Sequence, residues 1–135
     1  MTLRRKSREC ALQMLFQWGI QRQAIKRIEE SFWKTARAAE STRRFANELF
    51  EGAVAQAEAS DLLVEQLSKN WRLDRMAEID RGISRLAIYE LRSGTAPVKV
   101  VLDEAIELAK RFSTEESASF LNGILDAAAK SLEKQ

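Results

Sequence analysis

The stretch Ile79-Asp-Arg-Gly-Ile-Ser-Arg-Leu-Ala-Ile-Tyr-Glu-Leu91 decides the fold. Its apolar residues Ile79, Ile83, Leu86, Ala87 and Leu91 recur at helical spacing and do not alternate as a strand requires. Glu90 shares the face of Ile83, Leu86 and Ala87, so its carboxylate is expected to be at least half buried, with Arg85 near the edge of the stripe. A buried carboxylate is costly unless it is hydrogen-bonded or paired, so Glu90 is expected to be structural. Apolar segments on both sides can cover this helix. It is expected to be the central helix of the C-terminal half.

Composition supports a helical protein. One proline and five glycines in 135 residues leave little room for turn-rich β structure, and alanine, leucine, glutamate, lysine and arginine are all good helix formers. The length fits one domain, or two small subdomains sharing a core. The chain has no histidine, which removes the commonest general base and transition-metal ligand and excludes Ser-His-Asp and Cys-His chemistry. A single cysteine forms no internal disulfide and no cysteine metal site. The glycines are scattered and build no phosphate loop. No enzyme, metal or cofactor is expected. No apolar run approaches the roughly 20 residues that span a bilayer. No continuous apolar segment follows the basic N-terminus, so it is not a secretory signal. A cytoplasmic protein is expected.

The N-terminus carries the one local irregularity of charge. From Leu3 to Trp18 the residues Ala11, Met14, Leu15 and Trp18 share a helical face, with Gly19 as the expected stop. Arg4, Arg5, Lys6 and Arg8 crowd the first turns, with only Glu9 nearby to offset them. Cations there oppose the helix dipole, and rules of this kind are broken at functional sites, so the placement points to a held anion. The chain has 22 basic residues against 20 acids; without these four, 18 basic residues remain. The basicity is therefore local, as a nucleic-acid footprint is. Arg4 and Arg8 lie four apart on one face, with Arg5 on its flank, which favours a phosphate track over a diffuse tail, although solvation of a terminus is the commoner role of such a run.

The remaining helices follow from periodicity. Gln23 to Ala39 carries Ile25, Ile28, Phe32 and Ala36, with Trp33 beside them as a core residue. Ser41 is expected to cap a third helix that continues to Leu67, broken at Gly52 or at Ala59-Ser60-Asp61. Asn70 to Arg75 is a linker, with Asp74 capping the central helix and Trp71 plugging the seam between the halves. Ser93-Gly94 closes the central helix and Pro97 opens the next. Val101, Ala105, Leu108 and Phe112 form that helix's stripe, and Glu107 and Arg111 are spaced for an i,i+4 pair on its solvated side. Ser113-Thr-Glu-Glu116 fits a capping box. Behind it, Phe120, Leu121, Ile124, Leu125, Ala128 and Leu132 keep helical phase across Asn122-Gly123. Glycine inside a helix costs about 1 kcal/mol relative to alanine, so a packing reason is expected at Gly123.

Four segments together resemble the NusB family of bacterial transcription antitermination factors. They are Arg4–Phe16, Ile79–Leu91, Pro97–Lys110 and Phe120–Asp126, in the family's order. Between Gly19 and Trp71 only helical pattern and length match. The resemblance implies an all-α fold of two small helical bundles packed together, about residues 1–70 and 71–135. It implies pairing with the ribosomal protein NusE, binding of single-stranded boxA RNA from ribosomal-RNA leaders, and assembly with other Nus factors on RNA polymerase. By motif position, Arg4, Arg5, Lys6 and Arg8 match the family's arginine-rich RNA-binding segment. Arg85, Phe120 and Asn122 are carried over as further RNA-binding positions, and Asp80 as a partner-binding one. Two departures stand out: Lys6 replaces an arginine and loses its planar fork, and Ser84 stands where leucine is usual. Phe16, Trp18 and Phe120 are candidates for stacking on bases, although burial is the commoner fate of such residues. The competing expectation is a helical protein-interaction module, or a homodimer, whose arginines are merely solvated. Ribosomal-RNA cytosine methyltransferases carry a similar helical domain, but no Rossmann-type glycine-rich loop is present here.

Overall fold

The structure is a computed structural model that describes residues 3–68 and 76–133. Among the described residues there are seven helices and no strand. They are α1 (Leu3–Gln21), α2 (Ile25–Thr35), α3 (Glu40–Ala55), α4 (Ala57–Leu67), α5 (Glu78–Ser93), α6 (Val98–Phe112) and α7 (Glu115–Glu133). The central helix is α5. It packs against α1, α3, α4, α6 and α7, and every residue from Gly82 to Ile88 is buried. The expected stripe was too narrow, because α5 is covered on nearly all sides. One continuous apolar core joins α1–α4 to α5–α7 and includes Leu12, Leu15, Phe50, Ile83, Leu86 and Leu125. Cys10 lies in this core, and burial pushes its thiol above the ordinary range. Among the described residues no helix is long and apolar enough to cross a membrane.

Several helix ends fall where expected and several do not. Gly94 closes α5 in the left-handed conformation (φ 66°), its N–H donating to the Glu90 carbonyl at 2.9 Å, and Pro97 precedes α6. Helix α1 runs past Gly19 to Gln21 and ends at Arg22, whose φ of 53° is left-handed. Gly19 serves another purpose: a Cβ there would fall on the Glu78 carboxylate of α5. Gly52 likewise does not break α3. A side chain at that position would meet the Tyr89 ring, and the break comes at Gln56 instead. Ala39, not Ser41, is the N-cap of α3. At α7 the cap is Thr114, whose hydroxyl accepts the Ser117 N–H at 2.9 Å, one residue later than the expected Ser113. Ala77 is the N-cap of α5, while Asp74 and Trp71 lie outside the described residues. Gly123 has open space around it, so the expected packing reason is absent. Ser84 is buried without loss, its hydroxyl donating to the Arg81 carbonyl at 2.9 Å.

Helix α2 is the shortest reach from sequence to packing. It spans less than the Gln23–Ala39 pattern, and only Ile28 and Glu29 are fully buried. Trp33 Nε1 donates to Asn47 Oδ1 of α3 at 2.8 Å. Beside this contact, Glu29 faces Glu51, with Lys26 Nζ 3.5 Å from each carboxylate. Burial, then the hydrogen bond and charge of Glu51, push the Glu29 carboxyl up to about 7, with Lys26 opposing.

Gly52→Ala should lose about 1–3 kcal/mol in chemical denaturation, because the Tyr89 ring must move. Gly123→Ala should gain about 0.5–1 kcal/mol, since it removes only a glycine's backbone freedom. Glu29 sets a pH dependence. The folded chain holds this proton more tightly than the unfolded chain does, so the contribution of Glu29 to stability is full below the ordinary carboxylate range and is lost as pH rises toward about 7. Melting curves across that window should show the decline in the parent and a flatter profile in Glu29→Gln. An equally steep decline in that variant would assign the titration to another group.

Candidate nucleic-acid interface

The first turns of α1 lie against α5 and α6, and the four cations expected to act together divide into two kinds. Arg8 is only 4% exposed. Its Nε and Nη2 donate to the two Glu90 oxygens, both at 2.8 Å, and the Thr95 hydroxyl donates to Glu90 at 2.7 Å. Burial alone lowers the affinity of this guanidinium for its proton, but Glu90's hydrogen bonds and charge outweigh it and the net shift is upward. Arg8 is therefore an interior residue, and a phosphate track through it is not what the geometry provides. Glu90 is structural, as expected, and more deeply buried than half.

Arg5 sits at the surface and donates to Glu104 of α6, from Nε at 3.1 Å and from Nη2 at 2.9 Å. Glu104 also lies 3.8 Å from Arg8 Nη1. Arg111, expected to pair with Glu107, reaches instead to Glu9 of α1. The unfavourable charge at the start of α1 is thus answered by acids from α5 and α6. Arg4 and Lys6 remain exposed. The Arg4 guanidinium lies 4.0 Å from the centroid of the Phe45 ring on α3, a cation–π contact that holds the side chain across the surface.

Arg5 also opens onto a groove of about 990 Å³ between α6 and α7, lined by Glu107, Lys110, Ser119 and Asn122 among others. Asn122 is exposed on α7, so the fold brings it to the same groove as Arg5. Phe120 is half-buried and packs against the core. Arg85 is elsewhere. It is 1% exposed, with Nε and Nη2 donating to Asp61 at 2.9 and 2.8 Å and Nη1 to Glu78 at 3.2 Å. Its guanidinium is consumed in joining α4 to α5, which corrects its placement at the stripe's edge and leaves it no surface for RNA. Asp80 is likewise buried, 7% exposed, and accepts the Ser117 hydroxyl of α7 at 2.7 Å. It braces α5 against α7 and offers a partner little direct contact. Of the aromatic candidates, Phe16 is exposed and Trp18 lies under the Arg22 guanidinium at 4.2 Å. Glu104, Lys110 and Ser119 escaped notice in the sequence because α6 and α7 residues off the apolar stripe read as solvated. The unanswered cations of α1 were the signal that an acid had to come from elsewhere.

The NusB family model matches residues 5–130. The chain belongs to the NusB family. It is 42% identical over 134 residues to the transcription antitermination protein NusB of Koribacter versatilis, covering 98% of this chain and 92% of that one. Its fold is similar to that of T. maritima NusB, with a TM-score of 0.84 and 31% identity over 100% of this chain and 99% of that chain. It also matches a chain in a crystal structure of antitermination factors NusB and NusE in complex with double-stranded RNA. There the TM-score is 0.87 and identity 22%, over 97% and 98% of the two chains, a likeness of fold. In this NusB-family chain the Arg8–Glu90 pair supports the surface that carries Arg4, Arg5 and Lys6. Glu90→Ala should destabilise the protein by about 3–5 kcal/mol, because a buried guanidinium loses its counter-charge. Thermal and urea unfolding measure this, and a variant that melts like the parent would remove Glu90 from the scaffold.

Proposed function

We propose that this protein is a non-enzymatic transcription antitermination factor. It pairs with NusE, binds single-stranded boxA RNA of ribosomal-RNA leaders, and joins the other Nus factors on RNA polymerase in the cytoplasm. The observation that carries this reading is the run of Arg4, Arg5 and Lys6 at the start of α1, of which Arg5 lines the groove that holds Asn122. Single-stranded RNA is held by charge along its backbone and read by contacts to splayed bases. The cations supply the first. Asn122, with both amide donors and an acceptor, supplies an edge contact, and the half-buried Phe120 ring is the stacking candidate nearest to it in sequence. Arg8 serves the site as a positioning residue, by tying α1 to α5. In this reading NusE docks on the C-terminal half, with Asp80 contributing through the α5–α7 brace.

The test is a titration of boxA RNA and a scrambled RNA across several salt concentrations. Each phosphate contact to a single strand contributes about −0.7 to the slope of log affinity against log salt. Arg4→Ala with Lys6→Ala should make the slope shallower by up to about 1.4, and should weaken both RNAs alike, since phosphates carry no sequence. Asn122→Ala should narrow the preference for boxA while leaving the slope unchanged. NusE binding and the melting temperature should be unaffected by either change. An unchanged slope and affinity after removal of both cations would favour the competing reading, an interaction module or homodimer without RNA binding.

A further inference from the structure

We infer that Glu104 is a built-in competitor for the RNA backbone, holding Arg5 in the arrangement a phosphate would take and so setting how strongly the α1 cations bind any RNA. The inference rests on the RNA-binding reading above and adds a residue that restrains that binding.

Three observations carry it. The Glu104 carboxylate occupies Nε and Nη2 of Arg5, the fork edge with which guanidinium groups engage planar carboxylates and phosphates. An RNA phosphate that takes this edge must displace Glu104. The pair is also exchangeable. The Arg5 side chain is 42% exposed and Glu104 13%, whereas Arg8 and Glu90 are 4% and 3%. A partly solvated pair is weakly held, while a buried one is expensive to break, so exchange is confined to Arg5. Finally, Glu104 does not act alone on the field. It stands 3.8 Å from Arg8 Nη1, and Asp103 and Glu107 line the same groove. An approaching polyanion meets acids as well as cations there.

The consequence is a lowered backbone affinity. A phosphate gains little by replacing one anion with another on Arg5, so backbone contact alone binds weakly and an RNA depends on further contacts, such as those near Asn122, to stay bound. Removing the acid's charge should therefore strengthen every RNA by a similar factor, since phosphates carry no sequence.

The experiment compares the parent, Glu104→Gln, Arg5→Ala and the double variant in titrations of boxA and scrambled RNA over a series of salt concentrations. Glu104→Gln should tighten binding about two- to five-fold, the range of a partly exposed ion pair. Its salt slope should steepen by up to about 0.7, one added phosphate contact. The gain should be similar for boxA and scrambled RNA, and most of it should vanish in the double variant. Weaker binding by Glu104→Gln would make Glu104 a residue that positions Arg5, and would overturn the inference. So would a gain that survives undiminished without Arg5, which would reflect only the general field. Should Glu104→Gln melt below the assay temperature, Glu104→Asp keeps the charge and shortens the reach. It should tighten binding by a smaller factor, and weakened binding would again overturn the inference. Normal RNA binding by the parent with no effect of either variant sinks this inference alone. Failure of the parent and both Glu104 variants to bind RNA sinks it together with the proposed function.

Discussion

A guanidinium and a carboxylate buried together constrain everything else in this protein. Arg8 enters from α1 and Glu90 from α5, and neither can be left in the interior without the other. A second buried guanidinium, Arg85, faces outward from α5 in the opposite sense and is met by Asp61 of α4. One pair lies within the enclosed stretch of α5 and the other just beyond it. An apolar helix surrounded on all sides is located by the fit of its side chains, as where Tyr89 seats over Gly52. Bidentate pairs tolerate no shift, since a change of one residue separates charges that have no water to turn to. The ion pairs thus reinforce the register that packing gives α5, while the apolar core around Ile83 and Leu86 supplies the driving force.

The same logic explains which parts of the fold could be read from the sequence. Periodicity and composition depend on neighbours a few residues away, and they were sufficient for the all-helical class, the central position of α5 and its closure at Gly94. The burial of Glu90 was also legible, since a carboxylate on an apolar face needs an explanation. Interactions over long separations were not. Gly19 and Gly52 resemble breakers in the sequence, but each is small because a side chain from α5, Glu78 or Tyr89, comes close. The true break at Gln56 has no comparable mark. Arg85 looked peripheral because its partner Asp61 lies 24 residues earlier on another helix.

The candidate site was half legible for a related reason. A run of cations at a helix start is visible as charge, but charge does not reveal which of its members the fold has already spent. Arg8 is spent on Glu90 and Arg5 is shared with Glu104, 82 and 99 residues away. Arg4 and Lys6 keep the exposure that the sequence implied for all four. What remains at the surface is a mixed field, basic on α1 and acidic on α6, in which each cation's pull is tempered by a nearby acid.

That separation along the chain also bears on the order of synthesis. Helix α1 leaves the ribosome before α5 and α6, when neither Glu90 nor Glu104 has been made. The acids that meet Arg8 stand on those two later helices, so its pairing waits for them. Until they emerge, the start of α1 carries a cluster of uncompensated cations. The first turns of the helix made early are thus completed late, by residues translated some eighty and more positions after them.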